Sequence, residues 1–240
     1  MSLLSVAGVT KRFGGVVANR DISFEVAPGE LVGVIGPNGA GKSTLFEIIS
    51  GFCGPDAGEV RLDGKRLTGL SPDRVCRLGV ARTFQKLRPF SGMTVVENVM
   101  VGALTRTHDV RHARDQARQI LERVELGEKA DAHARSLSTG QRKRLELARA
   151  LATGPRLLML DEVTGGVDQR TIPELVRLIR QLHQAGLTLL VIEHNMQMLT
   201  AVAQRIVALY LGEIIADGQP DDVARNRRVI EAYLGQAYAR

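Results

Sequence analysis

Tryptophan is absent from this 240-residue chain, and aromatic residues make up only 4% of it. That scarcity removes the stacking platforms on which single-stranded nucleic acids are held. Cysteine is almost as rare: Cys53 and Cys76 match no metal or redox spacing, so they read as reduced cytoplasmic thiols. His108 and His112 lie four apart but lack the glutamate of an HExxH helix, which argues against a zinc site. No stretch approaches the roughly 18–20 continuous apolar residues that cross a bilayer. One of the longest apolar runs, "LTLLVI" at 187–192, suits a buried parallel strand. The opening "MSLLSVAGVTKRF" has no basic n-region, long apolar core or small-residue cleavage site, so no secretory leader is expected. Repeats and low-complexity segments are missing too. A net charge of +6 with so few aromatics points to an arginine-rich surface rather than a nucleic-acid partner.

What the chain does contain is a 44% hydrophobic share, enough for one large domain or two closely packed subdomains. Residues 3–35 read as short strands separated by turns: "LLSVAGVT", "ISFEVAPGE" turning at Pro28-Gly29, and "LVGVI". "GEVRLDGKRL" adds a strand and a turn at Asp63-Gly64. From about Thr94 to Leu151 the pattern becomes helical, with Val110, Ala113, Ala117, Ile120, Leu121 and Val124 forming one apolar stripe. Strands return at "LLML" (157–160) and "TLLVIE" (188–193), with a helix "IPELVRLIRQLHQAG" between them. "RIVALYLGEIIADG" reads as a hairpin turning at Gly212, followed by a short polar tail. The pattern is an α/β core interrupted by a helical block at roughly 87–149.

The most informative stretch is "LVGVIGPNGAGKSTLFEIISG", residues 31–51. Gly36, Pro37, Asn38, Gly39, Ala40, Gly41, Lys42 and Ser43 fit GxxxxGK[ST] at every fixed position, after a predicted strand and opening a predicted helix. Glycines let successive backbone N–H groups converge on phosphate oxygens, and the helix that follows adds the positive end of its dipole. Lys42 is expected to bridge the β- and γ-phosphates, with Ser43 ligating Mg²⁺ and Thr44 continuing the cradle. A bound nucleoside triphosphate needs a metal partner and a group that activates water. "RLLMLDE" supplies both: Asp161 for Mg²⁺ or its water, and Glu162 as the base.

No NKxD guanine reader or kinase-type second lid is present. The deciding stretch is "LSTGQRKRLELARAL", 137–151, a serine-glycine helix start 23 residues before Asp161. Ser138 is an N-cap on its plain reading, and a second anion site if it meets a γ-phosphate held by another subunit.

With these pieces in order, the chain resembles the ATP-binding cassette (ABC) ATPases over nearly its whole length. The resemblance implies a P-loop, RecA-like α/β core with an antiparallel β-subdomain (1–86 and 150–217), an inserted helical subdomain (87–149) and a C-terminal tail (218–240). It implies that Phe13 stacks on adenine, that Gln85 senses Mg²⁺ and the γ-phosphate, and that His194 contacts the γ-phosphate as a switch. Ser138, Gly140 and Gln141 match the signature, with Thr139 where the family usually has glycine. Asp168 matches the loop that crosses the dimer interface. Val163 replaces a customary proline, which bears on local loop rigidity alone. By the same analogy two copies, identical or related, sandwich two ATP molecules with Mg²⁺.

A single cassette without spanning segments implies docking on transmembrane permease subunits at the inner face of a bacterial membrane, with a periplasmic solute-binding protein acting indirectly. "RFGGVVA", "ARTFQ", "MTVVENVMVGA", "VIEHNM" and "VIEAYLG" are similar to the ATPases of branched-chain amino acid importers. Two alternatives stand beside this: a lipopolysaccharide-type exporter ATPase, and a soluble ABC ATPase acting on nucleic acid or ribosomes. Lys42 and Asp161 are only 119 positions apart, leaving no room for the long coiled coils of DNA-repair types.

Overall fold

The computed structural model describes residues 2–84, 89–193 and 196–237. It opens on a long antiparallel hairpin, β1 (Leu4–Phe13) and β2 (Val16–Val26). β4 (Ala57–Leu62) and the short β5 (Lys65–Arg66) complete a four-stranded sheet in the order β2-β1-β4-β5. The turn between β4 and β5 holds Asp63 at φ 49° and Gly64 at φ 73°, the two left-handed residues that suit a tight hairpin. Between the two pairs, β3 (Leu31–Ile35) leaves for a second sheet, and α1 (Lys42–Ile49) follows it.

The second sheet has six strands in the order β10-β9-β3-β8-β7-β6. Here β6 is Val80–Arg82, β7 Leu157–Asp161, β8 Thr188–Ile192, β9 Arg205–Tyr210 and β10 Glu213–Gly218. All neighbours from β9 to β6 run parallel, and β10 folds back antiparallel on β9. Its turn puts Leu211 at φ 47° and Gly212 at φ 83°, as the sequence predicts for Gly212. Every residue of β3, β7 and β8 is buried, so these strands read as unbroken apolar runs rather than alternating ones. Leu31 and Ile35 face one apolar core, while Val32 and Val34 face the other, shared with the hairpin sheet and α1.

Helices α2 (Pro72–Arg77), α3 (Val95–Ala103), α4 (Val110–Arg123) and α5 (Thr139–Ala152) lie between β5 and β7. On α4 the expected stripe holds at Ala113, Ala117 and Leu121, all fully buried. Val110 departs from it at 56% exposure, because as the first helical residue it precedes the turn that packs. Helices α6 (Ile172–Gln184) and α7 (Met196–Val202) flank β8. The closing residues correct the expectation of a polar tail. They form α8 (Pro220–Arg225) and α9 (Arg227–Ala237), anchored through buried Val223, Val229 and Ala232. Buried Val223, Val229 and Ala232 are mixed with exposed Ile230 and Leu234 and with charges, a weak periodic signal that makes the helices hard to read from sequence.

Candidate active site at the carboxyl edge of the parallel sheet

Residues 36–41 leave β3 and enter α1 through three left-handed glycines: Gly36 at φ 151°, Gly39 at 81° and Gly41 at 101°. Only Gly39 has open space where a side chain would stand. A Cβ on Gly36 would collide with the Leu209 carbonyl, and one on Gly41 with the Ala18 carbonyl. The outer glycines therefore admit the protein's own backbone, a refinement of the phosphate-only reason given by sequence. The buried Asn19 of β2 adds a hydrogen bond, donating from Nδ2 to the Gly41 carbonyl at 3.2 Å.

Unlike α3 and α5, whose first turns are closed by Thr94 and Ser138, α1 has no side-chain cap and no acidic residue in its first turn. Its first backbone bond runs from Leu45 N–H to the Gly41 carbonyl at 2.9 Å. The preceding N–H groups are the orphan donors of a helix start, with the positive end of the dipole behind them. Lys42 is only 6% exposed. Its Nζ donates to the Gly36 and Pro37 carbonyls at 2.6 and 3.0 Å. Burial lowers the lysine's pKa, while the charges of Glu162 and then Asp161 oppose the shift. The ammonium thus sits inside the loop, within the field of both carboxylates.

Strand register explains that proximity. Val34 of β3 and Asp161 of β7 both align with Ile192 of β8, which puts them two strand spacings apart, about 10 Å. The loop and the carboxylates meet at the carboxyl ends of the strands, where open α/β sheets bind ligands. Asp161 is 4% exposed. Its Oδ2 accepts from Arg82 Nη2 at 2.7 Å, and its N–H donates to Thr83 Oγ1 at 3.1 Å. The Arg82 guanidinium also lies over the rings of Phe46 and Phe84.

Glu162 holds φ at 51°, a strained value for a residue with a side chain, costing about 1–3 kcal/mol. Its N–H donates to the Ile192 carbonyl at 3.0 Å, and its carbonyl accepts from Gly165 N–H at 3.0 Å and from Lys143 Nζ at 2.9 Å. Those bonds hold the strained backbone in place. A proline at 163 would press the residue before it toward extended backbone; Val163 imposes no such restriction and buries in the core. Glu193, also buried, fixes the following turn by accepting from both N–H and Oγ1 of Thr164 at 2.8 Å.

Ser138 is the N-cap of α5. Its Oγ accepts from Gln141 N–H at 3.3 Å, and Gln141 Oε1 accepts from Ser138 N–H at 3.0 Å, a reciprocal box. Ser138 and Thr139 are exposed, so the extra bulk at 139 lies on the surface. Gly140 packs against Thr171, whose methyl would come within 2.9 Å of a Cβ there. Asp168 holds that same Thr171, accepting from its N–H at 3.0 Å and its Oγ1 at 2.9 Å. The signature residues and Asp168 therefore form one patch. Phe13, at the tip of the β1–β2 hairpin, is 51% exposed with Lys11 Nζ 5.4 Å from its ring centre, so it is not a core residue. Gln85 and His194 lie outside the described residues.

A family model described as "ABC transporter" matches residues 19–165, and one described as "Branched-chain amino acid ATP-binding cassette transporter" matches 213–239. The chain belongs to the ABC transporter ATP-binding family. The high-affinity branched-chain amino acid transport ATP-binding protein BraF of Pseudomonas aeruginosa is 40% identical to it, with 98% of each chain covered. In fold, the cassette resembles MJ1267, an ATP-binding cassette of an ABC transporter solved in its ADP conformation. The TM-score is 0.89 at 31% identity, covering 98% of this chain and 99% of that one. A dimeric post-hydrolysis structure of the cassette MJ0796 bound to ADP and Pi matches with a TM-score of 0.81 at 27% identity, covering 90% and 98%.

As an ABC ATPase the chain binds ATP. Among the described residues no group of three or more His, Cys, Asp or Glu could hold a metal alone. The donors at hand, the Ser43 hydroxyl and the Asp161 carboxylate, are hard oxygens that suit Mg²⁺ shared with phosphate oxygens. Asp161 is engaged by Arg82 but keeps acceptor capacity on its second oxygen.

Sequence reading missed five residues that shape this cassette: Asn19, Arg82, Lys143, Arg144 and Glu146. Lys143 and Arg144 look like part of a solvated basic helix, yet both are buried. Arg144 pairs with Glu125 and with Glu174, the latter at 2.6 Å, tying α5 to α6. Glu146 accepts the Phe84 N–H at 2.6 Å beside a 370 Å³ cavity lined also by Arg82, Phe84, Val101 and Arg149. Burial raises its pKa to about 7, against the pull of that N–H bond and of Lys143 and Arg149. The raised value means that Glu146 favours the fold when protonated, below its ordinary pKa of 4.5, and that this contribution is lost as pH rises through about 7. Glu146→Gln keeps an acceptor without the charge. The variant should melt several degrees above the parent at pH 8, at roughly 2–4 °C per kcal/mol of relieved penalty, with a much smaller gap at pH 5. Equal gaps at both pH values would show that Glu146 carries no buried charge penalty.

Proposed function

We propose that this chain binds and hydrolyses Mg-ATP between two cassettes and so powers a separate membrane permease that imports branched-chain amino acids or similar small solutes. The observation that carries the nucleotide part is the meeting of an uncapped α1 start, an inward-turned Lys42 and the Asp161–Glu162 pair at one sheet edge. In this reading the N–H groups of residues 38–44 and Lys42 hold the phosphates, with Ser43, Asp161 and Gln85 around the metal. ATP supplies the phosphoanhydride whose cleavage releases the energy. Glu162 accepts hydrogen from the attacking water, and its pinned backbone keeps the carboxylate aimed at that position. His194 contacts the γ-phosphate end.

The patch of Ser138, Gly140, Gln141 and Asp168 closes on the loop of a second copy. In a homodimer such a contact is isologous, so both sites form together. Ser138, at a helix start, brings a hydroxyl and dipole to the partner's phosphate. No helix among the described residues is long and apolar enough to cross a membrane; the reading as a peripheral subunit at the inner membrane face is supported by the similarity to transport ATP-binding proteins. The import branch is supported by the full-length similarity to BraF and the match at 213–239.

Phe13 is read as the surface on which adenine stacks. Phe13→Ala should raise the KM for ATP roughly tenfold with kcat little changed, the loss expected for one base–aromatic stack. A normal KM would remove Phe13 from the site. The transport assignment is tested by purifying the chain from native membranes with its permease. In proteoliposomes, leucine with the cognate binding protein should stimulate ATP turnover. Co-purification with nucleic acid or ribosomes, and no permease, would reject it.

A further inference from the structure

Gly36 has a problem of backbone accounting. It follows the last residue of β3, whose pairing with β9 ends at Ile35↔Ala208, so its N–H has left the sheet ladder. A buried donor of this kind must find another partner. The partner comes from 197 positions away: Gly36 N–H donates to the Tyr233 hydroxyl on α9 at 2.9 Å. On its other side the Gly36 carbonyl accepts from Lys42 Nζ at 2.6 Å. Glycine is the residue whose φ and ψ rotate most freely, and here both flanking peptide groups are tied.

The placement of Tyr233 follows from α9 itself. Val229 and Ala232 are buried at 4% and 3% exposure, and Tyr233 lies four residues after Val229 on the same inward face. Its ring packs against the core that also takes Met196, the first residue of α7, two positions after His194. Ile230 and Leu234 point outward. Burial holds the phenol above its usual pKa, opposed by the Gly36 N–H, so the hydroxyl stays neutral.

We propose that Tyr233 is a positioning residue of the ATP site: through Gly36 it sets the loop geometry that aims Lys42 and the α1 amides at phosphate. The C-terminal helix is then a working part of nucleotide binding. This rests on the reading of residues 36–43 as the triphosphate cradle, and the experiment separates the two.

Tyr233→Phe removes only the hydroxyl and keeps the ring in the core. Titration with ADP, which carries the phosphates but is not hydrolysed, should show a Kd raised about 3–10-fold, the range for one lost hydrogen bond. At saturating ATP, kcat should stay within about twofold of the parent. Val229→Ala loosens α9 by a comparable or larger amount without touching Gly36, and its Kd should stay within about twofold. An unchanged Kd in Tyr233→Phe, while Lys42→Ala loses affinity, would overturn the positioning role alone. An unchanged Kd in Lys42→Ala would overturn the cradle. Equal losses in Tyr233→Phe and Val229→Ala would reduce Tyr233 to helix packing and overturn the proposal. Amide exchange in the unaltered protein gives a readout that needs no variant. Gly36 N–H should exchange in step with the α9 amides, since its acceptor belongs to α9. Exchange of Gly36 on a separate schedule would contradict the tie.

Discussion

Glu162→Gln is expected to lower ATP turnover by roughly 10²–10⁴-fold, the contribution of a positioned general base, with ATP affinity kept within a few-fold. The substitution keeps the side chain's shape and removes its negative charge and its ability to take a proton. Three bonds that hold residue 162 run through its backbone: N–H to Ile192, carbonyl to Gly165 and Lys143. They are indifferent to the side chain, so the fold and the φ of 51° should survive. The measurement is steady-state phosphate release beside equilibrium ATP binding. Equal turnover by variant and parent would remove Glu162 from the chemistry, and a lost affinity would make it a binding residue.

Lys42→Ala acts one step earlier. Charge-assisted hydrogen bonds are worth about 1.5–3 kcal/mol each, so removing an ammonium proposed to bridge two phosphates should weaken ATP binding about 100-fold or more. The lysine is buried and its pKa is lowered by that burial, so its charge is desolvated before any ligand arrives. Alanine relieves that cost while leaving the Gly36 and Pro37 carbonyls without their donor, and the two changes offset each other in stability. The expected signature is therefore a large loss of nucleotide affinity with a small change in melting temperature. Isothermal titration with ATP and ADP checks it, and an unchanged Kd would contradict the phosphate assignment.

The parts of this molecule that sequence reveals are those whose causes lie close together in the chain. The loop at 36–43, the parallel strands ending in Asp161 and Ile192, and the hairpin turn at Gly212 are local patterns, and the structure contains them. The missed parts are long-range pairings between residue types that are ordinarily bland. Arg82 meets Asp161 across 79 positions, and Lys143 meets the Glu162 carbonyl across 19. An arginine in a short strand and a lysine in a basic helix carry no periodic mark of burial. Gly36 and Gly41 make the same point: the sequence explains them by phosphate, yet the nearest obstacles to a side chain are carbonyls of Leu209 and Ala18. Tyr233 stands in a stretch whose charges suggest a tail, and only the packing of Val229 and Ala232 turns it inward.

The account depends on a nucleotide held by one cassette and closed over by the Ser138 face of another. Sedimentation of the Glu162→Gln chain at saturating Mg-ATP, with and without a second change, Ser138→Asp, tests that directly. Aspartate is as good an N-cap as serine, so α5 stays formed while a negative charge is brought against the partner's phosphate. The single variant should sediment as a dimer, and the double variant as a monomer that still binds ATP. A single variant that stays monomeric, or a double variant that dimerises equally well, would contradict the account.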